Sequence, residues 1–536
     1  MGVRSRSRRR KRSLPDVKVL GKGTPIYEVL SEPDLEKLID ATFQLMLETG
    51  VAFDPDPQVL DLFSDAGCEI TADHVVKFER DLVMGCIETV PKSVKIWNRN
   101  GTEYREIKDG VTSFIPGMTC IKIFDLDTGE PRESTSEDLA TVTRVADALP
   151  NIDGVCVTVK DIPNSTVCGE IGEFVTMAEN TTKPLEYLCD YSISLDAVIE
   201  MAAAIRGGMD PLAEKPYFNH IITPLPLYYA KTHTDQIIRA AQCGIPVTMG
   251  TISIGGASAP MTVAGSLTHS IATDLAGISL SQLARKGSFC VGNSECSMME
   301  PATGSLGNTV PDMLADIATG QVMSHLGLPP LAGGGGGSSN ARRFNQDAVF
   351  EITMGMTKDF FLRRTTQDYL GGLDAGITYS LHALLLCEDL AGMLRCLWNG
   401  IPVDDDHLAL DLTHSMGPKG NYLAEPHSAK HCRDNYWKSR YFGAKFPLGS
   451  GTLPDTDLFQ RIDEDLREIL AKHQPEPTPE AMRKQLGTIL DKYETEQIET
   501  PAWPTPVLLR LFKIQPSPFS LLHCRPKFAD ISTARA

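Results

Sequence analysis

Two carboxylates, Glu295 and Glu300, share one polar run, residues 292–300, that follows a short apolar stretch. Carboxylates at a strand end attract a cation or move a proton, or they simply solvate a loop. A second run has five glycines, 333–337, followed by Ser338, Ser339 and Asn340. Consecutive glycines let a backbone approach a ligand and leave amide donors free; the same run also suits a tight turn or a lid. Tyr369 and Asp374 flank a further glycine pair. Asn219 and His220 end an apolar run, where His220 reads equally as a packing residue and as a ligand. Tyr379 and His382 lie three apart and so share a face if they are helical, in a capping, packing or site role. His427 and His431, at i and i+4, could hold a metal on a helix, but zinc needs further ligands. Cys432 points elsewhere and Glu425 does not make the H-E-x-x-H order, so no metal is expected.

Such groups act together only if the elements carrying them end in one place. Between residues 112 and 397, short β-branched or apolar runs alternate with amphipathic stretches, the pattern of parallel strands and crossover helices. Strands are expected at 112–115, 153–159, 185–188, 217–221, 246–249, 289–291, 328–331 and 367–370. Helices are expected from 136, then at 169–178, 195–205, 234–242, 261–284, 311–326, 348–356 and 378–397. A hairpin-like insertion over 120–129 parts the first strand from its helix. Eight such pairs over about 285 residues match a (β/α)8 TIM-like barrel, an α/β fold. A doubly wound open sheet is the alternative, but no G-x-G-x-x-G follows an early strand. The expected division is a basic tail at 1–24, an N-terminal helical cap region at 25–111, and the barrel at 112–400. A C-terminal helical extension at 401–495 and a flexible tail at 496–536 complete it.

In a barrel the loops at the C-terminal strand ends carry the site. That rule selects 116–118, Lys160 and Asp161, Asp190, Asn219 and His220, residues 248–251 including Met249, Asn293 to Glu300, 333–340 including Gly335, and 369–379. Lys160 is the one lysine among them.

Bulk composition narrows the class. Hydrophobic residues make up 42% and charged residues 22%, ordinary for a globular protein, and the net charge of −18 argues against nucleic acid as a partner. Thirteen cysteines without a C-x-x-C pair read as reduced thiols. No apolar stretch approaches the ~20 residues of a membrane span, and no apolar segment follows the basic run at 4–12, so a cytoplasmic protein is expected.

Several segments, in order, resemble the trimethylamine methyltransferase family. They are Glu48-Thr49-Gly50-Val51, Val90-Pro91-Lys92-Ser93, Gly255-Gly256-Ala257-Ser258-Ala259-Pro260 with Met261 to Gly265, the glycine run with Ser338 and Asn340, Gly371-Gly372-Leu373-Asp374-Ala375-Gly376, and Pro426-His427-Ser428-Ala429-Lys430-His431. The resemblance spans roughly residues 25 to 495 and implies a β/α barrel. It also implies methyl transfer from a methylated amine to the Co(I) centre of a separate corrinoid protein, with no tightly bound cofactor in this chain and a homo-oligomeric state. The cobalamin-binding D-x-H-x-x-G signature is absent, because Leu410 stands where Asp405-Asp406-His407 would require glycine. Only the twenty standard residues occur, so the chain resembles the non-pyrrolysine branch, similar to glycine betaine methyltransferase.

That resemblance suggests roles. Losing a methyl turns a quaternary ammonium into a neutral amine, so positioning and electrostatics must carry the reaction. Glu295, Glu300 and Asp374 are expected to attract the cation, and Trp97, Phe218, Tyr369 and Tyr379 to offer aromatic faces. Arg342 or the glycine-run amides would take a betaine carboxylate. Asn219, His220, Met249, Asn293, Gly335, Ser338, Asn340 and His382 complete the expected substrate-binding set. Two other classes compete: a barrel lyase or aldolase acting on a small phosphorylated metabolite, and a noncatalytic binding protein for quaternary amines.

Overall fold

The computed structural model describes residues 27–304, 306–307, 309–329, 335–362, 365–398, 400–432, 437–442 and 457–495. The basic tail at 1–24 and the segment 496–536 lie outside the described residues.

The strands read from apolar runs form a ring of parallel segments. Ser113–Phe114 is the first. Residues 153–159 run beside it, with the Asp153 amide donating to Phe114 O at 2.9 Å and a parallel bridge joining Val155 to Leu185. Leu185–Leu188, Phe218–Ile222, Val247–Met249 and Cys290–Gly292 follow as third to sixth, each paired in parallel with the next. The seventh, expected at 328–331, falls partly outside the described residues; further on, Gly337 O accepts the Gly371 amide at 3.1 Å. The eighth, Thr366–Gln367, pairs in parallel with the first and closes the (β/α)8 barrel.

Each strand feeds a helix packed outside the ring. They are Ser136–Ala148, Val167–Asn180, Ser192–Arg206, Lys231–Cys243, Val263–Ala284, Val310–His325, Gln346–Leu362 and Leu381–Trp398. The helix expected to start at Ser136 is capped one residue earlier, by a Thr135–Asp138 capping box. The last helix starts later than expected. Residues 378–379 form a strand instead, paired antiparallel with Gly372–Leu373 and parallel with Lys122–Phe124. With Pro131–Glu133, the arm of the expected hairpin, these make a small sheet beside the ends of the first and eighth strands.

Residues before the barrel cover two regions. The helix Glu32–Glu48 packs its apolar face on Val263–Ala284. Strand Val51–Phe53 joins Tyr228–Tyr229 in parallel, and Phe53 stacks on Tyr229 with ring centroids 5.2 Å apart. This covering is why Val263–Ala284 buries residues almost all round, including Ser270, Thr273 and Asp274. The hairpin Ser93–Trp97 and Tyr104–Lys108 closes the opposite end: Trp97 N donates to Pro216 O and Arg99 N to Thr182 O, both just before a strand begins.

Towards the C-terminus, the helical pattern of 466–493 belongs to two helices, Leu458–Lys472 and Glu480–Thr495, parted by a stretch containing Pro475, Pro477 and Pro479. Among the described residues no helix is long and apolar enough to cross a membrane, and the described cysteines are free thiols.

Candidate active site

A cavity of about 670 Å³ sits at the C-terminal ends of the strands and reaches into the ring. Apolar groups such as Met118, Leu188, Ile221 and Ile254 supply much of its wall. Six of its lining residues are acidic (Glu186, Asp190, Glu295, Asp312, Asp316 and Asp368) against one basic residue, Lys358, among the described residues. Three of the six have partners within the wall or just behind it. Arg105, reaching up from the closing hairpin, pairs with Glu186 at 2.5 Å. Asp312 accepts the amides of Met298 and Thr309, and Asp316 pairs with Lys358. Asp190, Glu295 and Asp368 are the other three acidic residues of the lining.

Glu295 is held on several sides. The loops after the fifth and sixth strands extend as a parallel pair, Ile252–Gly255 with Glu295–Met298, which sets Glu295 opposite Ile252. Its amide donates to Thr251 O at 2.8 Å, and Ser270 Oγ donates to its carbonyl at 2.8 Å. Its Oε1 accepts from Asn293 Nδ2 at 3.2 Å and from the Tyr369 hydroxyl at 3.1 Å. Burial, then the charges of Glu295 and Asp368, raises the Tyr369 phenol well above its ordinary range, so it stays a donor. Tyr369 is held at φ 59°, a left-handed conformation that non-glycine residues seldom adopt. Beneath this pair lies Asp274, fully buried, accepting from Thr251 Oγ1 at 2.5 Å and Ser294 Oγ at 2.6 Å.

Of the expected residues, Glu295, Asn293, Gly335, Ser338, Asn340 and Tyr369 line this cavity. The others do not line it. Glu300 is carried out along the 295–298 strand and caps an exposed turn, accepting from Thr303 N at 2.7 Å. Asp374 lies in the turn Asp374–Gly376; its neighbours Ala375 and Gly376 line the cavity, while its carboxylate stands 3.4 Å from the exposed Arg342. Neither Asp374 nor Arg342 lines it. Trp97 is at the opposite end of the barrel, against Tyr104 and under Lys215.

Strand alternation turns three more away from the cavity. Ile221 faces inward with Asn219, whereas Phe218 and His220 face the helices. Asn219 supports the wall by donating to Thr248 Oγ1 at 3.1 Å. His220 is buried between Tyr187 O and Gln236 Oε1, and burial lowers it to about 4, so it is neutral. Phe218 packs on Phe174. Met249 likewise points outward, against Tyr229, while Thr248 and Gly250 line the cavity. Tyr379 is buried in its strand and donates to Leu370 O at 2.9 Å. His382 bonds Asp463 of the helix Leu458–Lys472 at 3.0 Å, so it shares no helix face with Tyr379. Lys160 is bound to Glu173 at 3.2 Å and does not line the cavity.

Glu186, Asp316, Lys358 and Asp368 escaped the sequence reading. Asp368 directly follows the eighth strand and was hidden because that strand was carried to 370. Glu186 left a signal, a lone charge within the apolar run Leu185–Leu188. Asp316 and Lys358 lie within helices and left none.

The family model described as trimethylamine methyltransferase (MTTB) matches residues 2–497. The trimethylamine methyltransferase MttB of Desulfitobacterium hafniense is 28% identical over 472 residues, covering 87% of this chain and 94% of that protein. The glycine betaine methyltransferase of another strain of that species is 26% identical over 465 residues, covering 85% and 95%. Among solved structures, the monomethylamine methyltransferase of Methanosarcina barkeri aligns over 83% of this chain and 88% of its own, at 13% identity and a TM-score of 0.48. With a family match running through the barrel and both of its flanks, the chain belongs to the trimethylamine methyltransferase family.

Proposed function

We propose that this chain moves a methyl group from a quaternary or tertiary methylated amine, betaine-like in type, to the Co(I) centre of a separate corrinoid protein. It would do so in the cytoplasm and as a homo-oligomer, with no cofactor of its own. The observation that carries this reading is the cavity, walled in large part by apolar groups and lined, among the described residues, by six carboxylates against one cation. Apolar walls accept N-methyl groups. Glu295 and its neighbours attract the positive nitrogen, at about 4 kcal/mol for a pair 4 Å apart in a medium of effective dielectric 20. The cage of aromatic faces expected from the sequence is reduced to Tyr369.

Charge flow sets what the carboxylates can do. The substrate is cationic and the leaving amine neutral, so attraction to Glu295 fades as the methyl departs. Glu295 therefore favours binding of substrate over product more than it lowers the barrier. The chain's remaining tasks are to orient one methyl toward the mouth, where the cobalt supplied by its partner accepts it, and to exclude water.

The test incubates the protein with reduced cobalamin, or a corrinoid protein, and a panel of betaines, carnitine and methylamines, following methylcobalamin by absorbance. At least one donor should give methylcobalamin. Glu295→Gln should raise its KM about tenfold with a smaller change in kcat. Binding of a donor without any methyl transfer would make the chain a binding protein instead. An unchanged KM in the variant would remove Glu295 from the site.

A further inference from the structure

The histidines of the C-terminal motif take no part in the cavity. The fold brings them a partner that is not visible along the chain. Asp406 lies in the short helix Asp405–Leu408, and His427 and His431 lie one turn apart on Pro426–His431. One ligand atom from each of the three falls within 4.8 Å of the others. His431 Nε2 is 3.1 Å from Asp406 Oδ2, the His427 and His431 rings are 4.4 Å apart, and His427 Nε2 bonds the Asp406 carbonyl at 2.8 Å. A cation already sits on this carboxylate, the Lys430 ammonium at 2.6 Å. The His407 ring is 4.9 Å from that of His431, with its Nδ1 held by Asp404.

We propose that Asp406, His427 and His431 form a binding site for a divalent transition metal of the zinc class, which ties residues 401–432 together. Two imidazoles and a carboxylate are a ligand set zinc favours, at bond lengths of about 2.0–2.2 Å. Donors around a tetrahedral ion of that size lie roughly 3.3–3.5 Å apart, so adjustments of the order of an ångström gather the three. A fourth position remains for water or a donor from another molecule. Metal entry displaces Lys430 from Asp406 and releases any proton held by the imidazoles.

A second, independent feature calls for such a tie. Residues 401–432 fold into three short helices, yet none of them is buried, and Ile401, Val403, Leu410 and Leu423 are largely exposed. A segment of that size without a core gains order from a cross-link or a metal. Sequence spacing predicted no metal here because i and i+4 histidines supply two ligands only. The third comes from a residue more than twenty positions upstream.

The test uses the full-length protein after chelator treatment. Zinc binding is measured by competition with a chromophoric chelator, and protease cleavage within 401–432 is followed with and without zinc. One zinc per chain should bind, Mg2+ should not replace it, and zinc should slow cleavage of the segment. Asp406→Asn, and separately the pair His427→Gln and His431→Gln, should weaken zinc binding at least tenfold and abolish the protection. None of these side chains is buried, and circular dichroism checks that the barrel is intact. Equal zinc affinity in the variants, or cleavage indifferent to zinc in the unaltered protein, would overturn the proposal.

Discussion

Asp274 shows how a single residue can be ionisable and yet serve the site without touching its cavity. It is fully buried in Val263–Ala284 and holds Thr251 and Ser294, whose loops carry Glu295. Burial outweighs the hydrogen bonds that favour its charged form and raises its carboxyl to about 7, against 3.8 when exposed. The folded state therefore keeps a proton that the unfolded chain gives up. The resulting stability is complete below about pH 4, declines as pH rises toward 7, and is level above. Asp274→Asn cannot titrate, so the melting temperature of the unaltered protein relative to this variant should fall between pH 5 and pH 8. Thermal unfolding at several pH values measures this, and a difference independent of pH would show that Asp274 stays in one state throughout.

Among the elements, Val263–Ala284 has the most demanding place, packed between the ring and the N-terminal segment. Gly277 in its middle is poor for helix propensity by about 1 kcal/mol. A Cβ there would run into the Tyr229 hydroxyl and lie 3.2 Å from Met249 Cε. That hydroxyl donates to Thr273 O at 2.9 Å and cannot easily give way. Gly277→Ala should therefore lower stability, by about 1–3 kcal/mol, even though alanine is the better helix former. Gly172, in Val167–Asn180, has open space where its Cβ would be, and Gly172→Ala should raise stability by about 0.5–1 kcal/mol. Urea titration of the two variants reads both signs.

The whole molecule depends on joining the last β/α unit back to the first. Beyond the pairing of Thr366–Gln367 with Ser113–Phe114, this join is an ion pair: Arg395 of the last helix grips Asp153 through two oxygens at 2.5 and 2.7 Å. Asp153 Oδ2 also accepts the Phe114 amide at 2.8 Å, so one carboxylate ties the first and second strands to the final helix. Arg395 is buried and Asp153 nearly so. Arg395→Met should then cost about 3 kcal/mol, because it leaves a carboxylate short of its partner. The urea midpoint should fall with an unchanged slope if closure fails together with the rest of the fold; an unaltered midpoint would mean that strand pairing alone closes the ring.

How much was legible follows from the range of each signal. Every barrel strand within the described residues was found to within a residue or two at its start, because an apolar run between helical stretches is a local pattern. Residues 378–379 misled, since a strand of two residues adjoining a helix has no period of its own to read. At the site, the strand-end rule reached Glu295, Tyr369 and Ser338 through chain position alone. It took both Asn219 and His220, although adjacent residues of a strand cannot face the same side. The search for aromatic faces around a methylated cation proposed Trp97, whose ring packs against Tyr104 at the far end of the barrel.

By itself, the sequence determined the order and spacing of the β/α units, the acidic balance of the chain and the family to which it belongs, since all of these reside in local composition and in motifs read along one line. Tertiary structure alone decided which face of each strand looks inward, that Tyr369 meets Glu295 across 74 positions, and that Asp406 stands beside His431. Such contacts depend on ring closure and on helices packing at a set angle. Both are collective outcomes of burying one core, and no short stretch of chain encodes them.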